Sequence, residues 1–242
     1  MQMDGKKNFV FIGETGSGKS EIAVNLACEL AKRGERKVHF FDMDMTKPLF
    51  RSRDLQEEFE RMGVGLHYER QFADAPTMVG GVPYYLKKED SYVILDVGGD
   101  HIGARLVGGY GAYLNQENTA VCYVLNPYRP WSDHMDHIDE TLGRILGVSH
   151  IRLDKLQMIS NPNNGYSTTL EEFLEGNRRM KEILKPYAEV AFSCVREELY
   201  SQAKEKTETP LMPVHLYFKY EWLPKETEAS EADFGTDSSR RI

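Results

Sequence analysis

The sequence predicts an α/β fold: a mainly parallel sheet with helices on both faces, in three layers, α/β/α. Three observations carry it. Short apolar runs at residues 9–12, 92–95 and 120–125 read as buried strands. Segments with helical spacing alternate with those runs, and alternation of this kind builds parallel sheets covered on both sides. A glycine-rich segment, Gly13-Glu14-Thr15-Gly16-Ser17-Gly18-Lys19-Ser20, joins the first run to the first helical pattern.

In chain order, residues 21–31 are good helix formers, and Gly34 is placed to cap the helix they form. Residues 37–41 form a second strand ending at Asp42. Leu55, Phe59 and Met62 recur at i, i+4 and i+7, the apolar stripe of a helix stopped by Gly63. A short strand at 64–68 follows. Residues 73–90 stay ambiguous because Gly80, Gly81 and Pro83 interrupt any helix there. The strand at 92–95 ends at Asp96, and further strands are read at 120–125, 156–159 and 189–192. Val214, Leu216, Phe218, Tyr220 and Trp222 alternate with other residues and predict a last strand over 214–222 with one buried face. One domain over residues 1–223 accounts for these elements. Residues 224–242 are polar and acidic, and read as a disordered tail.

Composition narrows the function classes. The chain has 242 residues and a formal net charge of −8, which argues against general attraction to nucleic acid or anionic lipid. It contains no membrane-length apolar stretch, and its N-terminus lacks a signal-peptide core, so a cytoplasmic protein is expected. Cys28, Cys122 and Cys194 are far apart, with Cys194 placed at a strand end. They read as buried thiols of a reducing compartment rather than as iron–sulfur ligands.

The chemistry concentrates at strand ends. Residues 13–20 spell G-x-x-x-x-G-K-S between a strand and a helix, the context in which this pattern cradles phosphate. Backbone N–H groups of Gly13, Thr15, Gly16, Ser17 and Gly18 converge on phosphate oxygens beside a helix N-terminus. Lys19 reaches the β- and γ-phosphates, and the Ser20 hydroxyl ligates Mg²⁺. Carboxylates must hold the ion's water shell and orient an attacking water. Asp42 and Asp44 after the second strand, and Asp96 after the fourth, are the candidates. Gly98 and Gly99 allow close backbone approach to the γ-phosphate.

Together, the glycine loop, Asp42-x-Asp44 and Asp96-x-x-Gly99 resemble the SIMIBI class of P-loop NTPases, and within it the MinD/ParA/CooC-type ATPases, over residues 8 to about 200. The resemblance implies an ATP- and Mg²⁺-dependent switch, often a homodimer with nucleotide at its interface. It implies that Asp44, with Asp42 beside it, positions water, that Ser20, Asp42 and Asp96 hold Mg²⁺, and that Asn161 reads adenine. No N-K-x-D occurs at the matching place, which disfavours guanine. One departure stands out. The MinD/ParA type carries a lysine directly after the first glycine of the loop, and this sequence has Glu14. Lys47 and Arg51 are alternative cations for the phosphates, or solvated loop charges.

Other signals weigh less. Asp133, His134 and His137 could hold a transition metal, although Ser132 capping an exposed helix start is the simpler reading. Arg129 and Trp131 lie in a proline loop on the ligand side, fit either to contact a ligand or to pack. His101 follows Gly99-Asp100 as a candidate base. Arg178, Arg179 and Lys181 are interspersed with glutamates and read as a mixed-charge face. The resulting expectation is an ATP-hydrolysing switch acting on a protein client. A dethiobiotin synthetase-like small-molecule enzyme and a DNA-partitioning ATPase are the alternatives.

Overall fold

The computed structural model describes residues 5–44, 55–68 and 80–218. Among them, eight strands form one parallel sheet: β1 (Asn8–Ile12), β2 (Lys37–Met43), β3 (Val64–His67), β4 (Ser91–Val97), β5 (Thr119–Leu125), β6 (Leu156–Ser160), β7 (Val190–Arg196) and β8 (Leu211–Val214). Their spatial order is β3-β2-β4-β1-β5-β6-β7-β8. Thus β1 lies between β4 and β5, where the winding of the sheet reverses, and the crevice beyond its carboxyl end is the ligand position in open parallel sheets.

Side-chain alternation along the strands divides the core. Phe9 and Phe11 of β1 pack with Ile22, Leu26 and Leu30 of α1 (Lys19–Arg33) and with Phe59 of α2 (Gln56–Met62). Val10 and Ile12 face the other way. There they join Val82 and Leu86 of α3 (Val82–Lys87) and Ile138, Leu142 and Ile145 of α6 (Met135–Ser149). Each of these large apolar side chains contributes about 1.5–3 kcal/mol by leaving water. Such strands carry apolar side chains on both faces, hence the continuous runs.

The expected helix ends hold: Gly34 and Gly63 are left-handed C-caps with φ of 67° and 74°. The ambiguous 73–90 segment contains α3, started by Gly81 at φ 85° with Pro83 in its first turn; residues 69–79 lie outside the described residues. Two short helices, α4 (Asp100–Arg105) and α5 (Gly111–Leu114), complete the β4–β5 crossover, and α7 (Leu170–Leu184) and α8 (Tyr200–Lys204) follow later in the chain.

Three expectations are corrected. The last strand among the described residues is Leu211–Val214, and residues 215–218 of the expected 214–222 strand are outside the sheet, while 219–222 lie outside the described residues. From residue 215 the chain leaves the sheet for α1, where Asn25 makes a two-way pair with the His215 backbone at 2.8 Å in each direction. Glu21 Oε1 accepts the Tyr217 and Phe218 N–H groups, so side chains of α1 replace the β ladder. Second, β2 continues through Asp42 to Met43 because it pairs with β4 along its whole length. Third, Cys194 is interior to β7 and fully buried, as is Cys122, and burial pushes the Cys122 thiol up to about 12.

The tail from residue 224 and the cations Lys47 and Arg51 lie outside the described residues. Among the described residues no helix is long and apolar enough to cross a membrane.

Candidate functional site: a phosphate loop held from both sides

Between β1 and α1 the chain turns through Gly13, Gly16 and Gly18 with φ of 138°, 79° and 94°, values that any residue with a Cβ opposes. Gly13 also sits against β5, where a Cβ would lie 2.5 Å from the Val124 carbonyl oxygen. Ser17 N–H donates to Glu14 O at 3.2 Å and closes the loop. Lys19 is 1% exposed at the start of α1, and its Nζ donates to Glu14 O at 2.9 Å. Ser20, also buried, follows in the first turn.

The ends of β2 and β4 meet this loop on one side. Asp42 and Asp96 are register partners on adjacent strands, each 1% exposed. Asp44 is buried too, and its N–H donates to Asp42 Oδ1 at 3.1 Å. A Cβ on Gly98 would stand 3.1 Å from Asp44 Oδ1, and one on Gly99 would collide with Thr15 Oγ1 at 2.2 Å. The loops after β1, β2 and β4 are therefore in contact through Thr15, Asp44, Gly98 and Gly99. Gly103 of α4 presses on the back of this junction, where its Cβ would lie 2.4 Å from Gly98 O.

The other side is closed by the loops after β5 and β6. Asn161 Nδ2 donates to Ser17 O at 2.7 Å and fills the space where a Gly18 side chain would start. Arg129 Nε donates to Gly16 O at 3.2 Å. Asn126 braces the pair of loops: its Nδ2 donates to Asn163 O at 2.8 Å, and its Oδ1 accepts Tyr128 N–H at 3.0 Å. The sequence placed Arg129 on the ligand side, but its contact with Gly16, like the Asn126 brace, joins distant loops and has no local signature. Glu14 is turned onto its own backbone, with Oε2 accepting Thr15 N–H at 3.3 Å. Behind it, burial first and the Glu14 charge second push the Tyr123 phenol well above its ordinary range.

The remaining candidates lie on neighbouring elements. His101 lies in α4, and Trp131 is 50% exposed rather than packed. Ser132 does not cap α6: it belongs to a short turn, Pro130–Ser132, and His134 occupies the N-cap without a side-chain capping bond. Arg178 pairs with Glu175 and Glu182, each at 2.6 Å, a mixed-charge face as expected.

The loop fits a nucleotide phosphate and its magnesium ion. Its cradle is lined by backbone at Gly13 and Gly18, where a Cβ would collide, and the Ser17 hydroxyl is buried there without a hydrogen-bond partner among the described residues. Hydroxyl and carboxylate oxygens are the donors a hard divalent ion takes, and the buried Ser20, Asp42 and Asp96 are the residues that would supply them.

Comparison with known proteins places this geometry. A family model described as the CobQ/CobB/MinD/ParA nucleotide binding domain matches residues 9–180. Among solved structures, the cell division protein FtsY from Thermotoga maritima is similar at a TM-score of 0.52 and 16% identity, covering 78% of this chain and 62% of that one. Chloroplast FtsY from Physcomitrella patens gives 0.51 and 16%, with 78% and 58% covered. The signal recognition particle receptor FtsY from Elizabethkingia anophelis, in complex with GDP, gives 0.51 and 16%, with 78% and 57% covered. At such identity the likeness is one of fold, and the chain spans about three fifths of the length of those proteins. No curated protein sequence matches it. With its phosphate loop inside the matched region and its sheet shared with those structures, the chain belongs to the CobQ/CobB/MinD/ParA nucleotide-binding domain family, of the SIMIBI class of P-loop NTPases.

Proposed function

We propose that the chain is a Mg²⁺-dependent ATP-binding and ATP-hydrolysing switch that acts on a protein partner in assembly, maturation or positioning. The observation that supports this most is the three-way contact of the loops after β1, β2 and β4, through Thr15–Gly99 and Asp44–Gly98. A group bound in the glycine loop is sensed at once by both carboxylate-bearing strands. Lys19 binds the β- and γ-phosphates once its ammonium leaves the Glu14 carbonyl. Ser20, Asp42 and Asp96 would hold Mg²⁺ with its water shell, and the ion would supply charge neutralisation at the phosphates. Asp44 accepts a proton of the attacking water and orients it. The backbone of Gly99 reads the γ-phosphate, so its loss on hydrolysis releases the loops after β2 and β4.

Adenine is favoured by the loop after β6. Residues 161–164 are Asn-Pro-Asn-Asn and contain no carboxylate to accept guanine's N–H donors. Asn161, fixed by Ser17 O, keeps Oδ1 for the adenine 6-amino group. The GDP in the E. anophelis FtsY structure makes the choice of base a direct question.

Titration with ATP and GTP in the presence of Mg²⁺, alongside turnover of the Asp44→Ala variant, tests the proposal. The expected outcome is at least tenfold preference for ATP, with the variant binding ATP normally and hydrolysing it at least a hundredfold more slowly. Equal affinity for GTP removes the adenine reading, undiminished turnover removes Asp44, and turnover that appears only with a small metabolite removes the switch. ATP-dependent homodimerisation, read by sedimentation with ATP and with ADP, belongs to the same proposal.

Glu14 has its own test. Its carboxylate occupies Thr15 N–H, which would otherwise face phosphate, and brings negative charge to the loop. Glu14→Gln is therefore expected to tighten ATP binding by about three- to tenfold. An unchanged dissociation constant would show that the carboxylate swings clear when nucleotide binds.

A further inference from the structure

Asp133, His134 and His137 stand out among the described residues. Each offers one ligand atom within 4.8 Å of the other two. Asp133 Oδ1 is the hub, 2.5 Å from His134 Nδ1 and 2.9 Å from His137 Nδ1. The imidazoles lie side by side with ring centroids 3.7 Å apart. Local backbone geometry produces this convergence. His134 is extended at the N-cap of α6, φ −156°, which turns its ring back over the first helical turn, while Asp133 and His137 meet as an i, i+4 pair.

Helix capping does not explain the cluster, because no side chain caps α6. The Asp133 carboxylate is spent on two imidazoles instead. Its position is fixed from outside the helix: Arg179 Nη2 of α7 donates to the Asp133 carbonyl at 2.9 Å. All three side chains remain between 37% and 49% exposed, so an ion from solvent can reach them. The positive end of α6 opposes a cation, and Asp133 itself, with Asp136 in the first turn, offsets that field.

We propose that Asp133, His134 and His137 form a binding site for one divalent transition-metal ion of the zinc or nickel type, separate from the magnesium position at Ser20. Two imidazole nitrogens and one carboxylate oxygen on one face, with the solvent side open, are a donor set for such ions rather than for Mg²⁺ or Ca²⁺. On ligation through Nδ1 each imidazole gives up its Nδ1 proton and carries one on Nε2, so both rings are neutral, and the 2.7 Å hydrogen bond from His137 Nδ1 to the Pro130 carbonyl is broken. Pro130 directly follows Arg129, which holds Gly16, so the ion binds on the same loop that braces the phosphate loop. The site is independent of the nucleotide reading and is testable without ATP.

The test is calorimetric titration of the full-length, nucleotide-free chain with Zn²⁺ at neutral pH. It is repeated on Asp133→Asn, His134→Ala, His137→Ala and the double histidine variant, each first checked for an unchanged circular dichroism spectrum and melting temperature. One Zn²⁺ per chain is expected, with affinity at least tenfold weaker in each single variant and stoichiometric binding lost in the double one. Absence of stoichiometric binding to the intact chain, or equal binding by the double variant, overturns the proposal. Co²⁺ provides a second readout: visible absorption bands of a nitrogen- and oxygen-ligated ion should be present in the intact chain and absent from the double variant. Bands that survive the substitutions place the ion elsewhere and likewise overturn it.

Discussion

Lys19→Ala is expected to weaken ATP binding by about a hundredfold or more. One or two charge-assisted hydrogen bonds to phosphate oxygens contribute about 1.5–3 kcal/mol each, and every 1.4 kcal/mol is a factor of ten. The fold should survive the change. Lys19 is buried at the start of α1, and one of its Nζ hydrogen bonds goes to Glu14 O, a carbonyl of the loop itself. Calorimetric titration with ATP, paired with a thermal melt, separates the two quantities. A variant that melts normally and binds within threefold of the parent would take the phosphates out of this loop.

Gly13→Ala should have the largest effect on stability, a loss of about 3 kcal/mol or more. Two penalties coincide there. The backbone has φ 138°, a region that costs a residue with Cβ about 1–3 kcal/mol, and the new methyl would lie 2.5 Å from the carbonyl oxygen of Val124. That oxygen belongs to β5, the central strand beside β1, so it cannot move without moving the sheet. Gly143, inside α6 with open space around its Cβ position, is the matching control. Gly143→Ala should stabilise by about 0.5–1 kcal/mol through helix propensity alone. Urea unfolding of the two variants reads both signs, and a Gly13→Ala protein as stable as its parent would mean that the loop can leave β5 at little cost.

The sheet was legible because its strands are buried on both faces. Residues such as Val93, Ile94 and Leu95 need no alternation, and the resulting apolar runs mark β1, β4 and β5 without ambiguity. The final strand misled for the opposite reason. Residues 214–218 alternate as a half-buried strand does, yet the contacts that fix them come from Asn25 and Glu21 on α1, about 190 positions earlier in the chain. Periodicity registers which residues face inward, not which element they face. The short helices α4 and α5 were unread because six and four residues barely complete a turn or two.

The same contrast holds at the candidate site. Lys19, Ser20, Asp42, Asp44 and Asp96 were found from strand ends and motif spacing, and the fold brings them to one end of neighbouring strands. The intimacy of Gly103 with Gly98, and of Arg129 with Gly16, was not readable. Those contacts depend on how closely two crossovers approach, and sequence spacing carries no such distance.

The position of β1 between β4 and β5 also governs how the chain must be made. The strand that leads into the phosphate loop emerges first, but its two neighbours end only at Val97 and Leu125. At synthesis rates of about 5–20 residues per second, β1 spends on the order of ten seconds as an apolar segment with both edges unpaired. Exposed edges of that kind recruit other chains. Nascent chains stalled before residue 125 therefore carry a strand that is buried throughout in the folded chain, without its complete β5 partner.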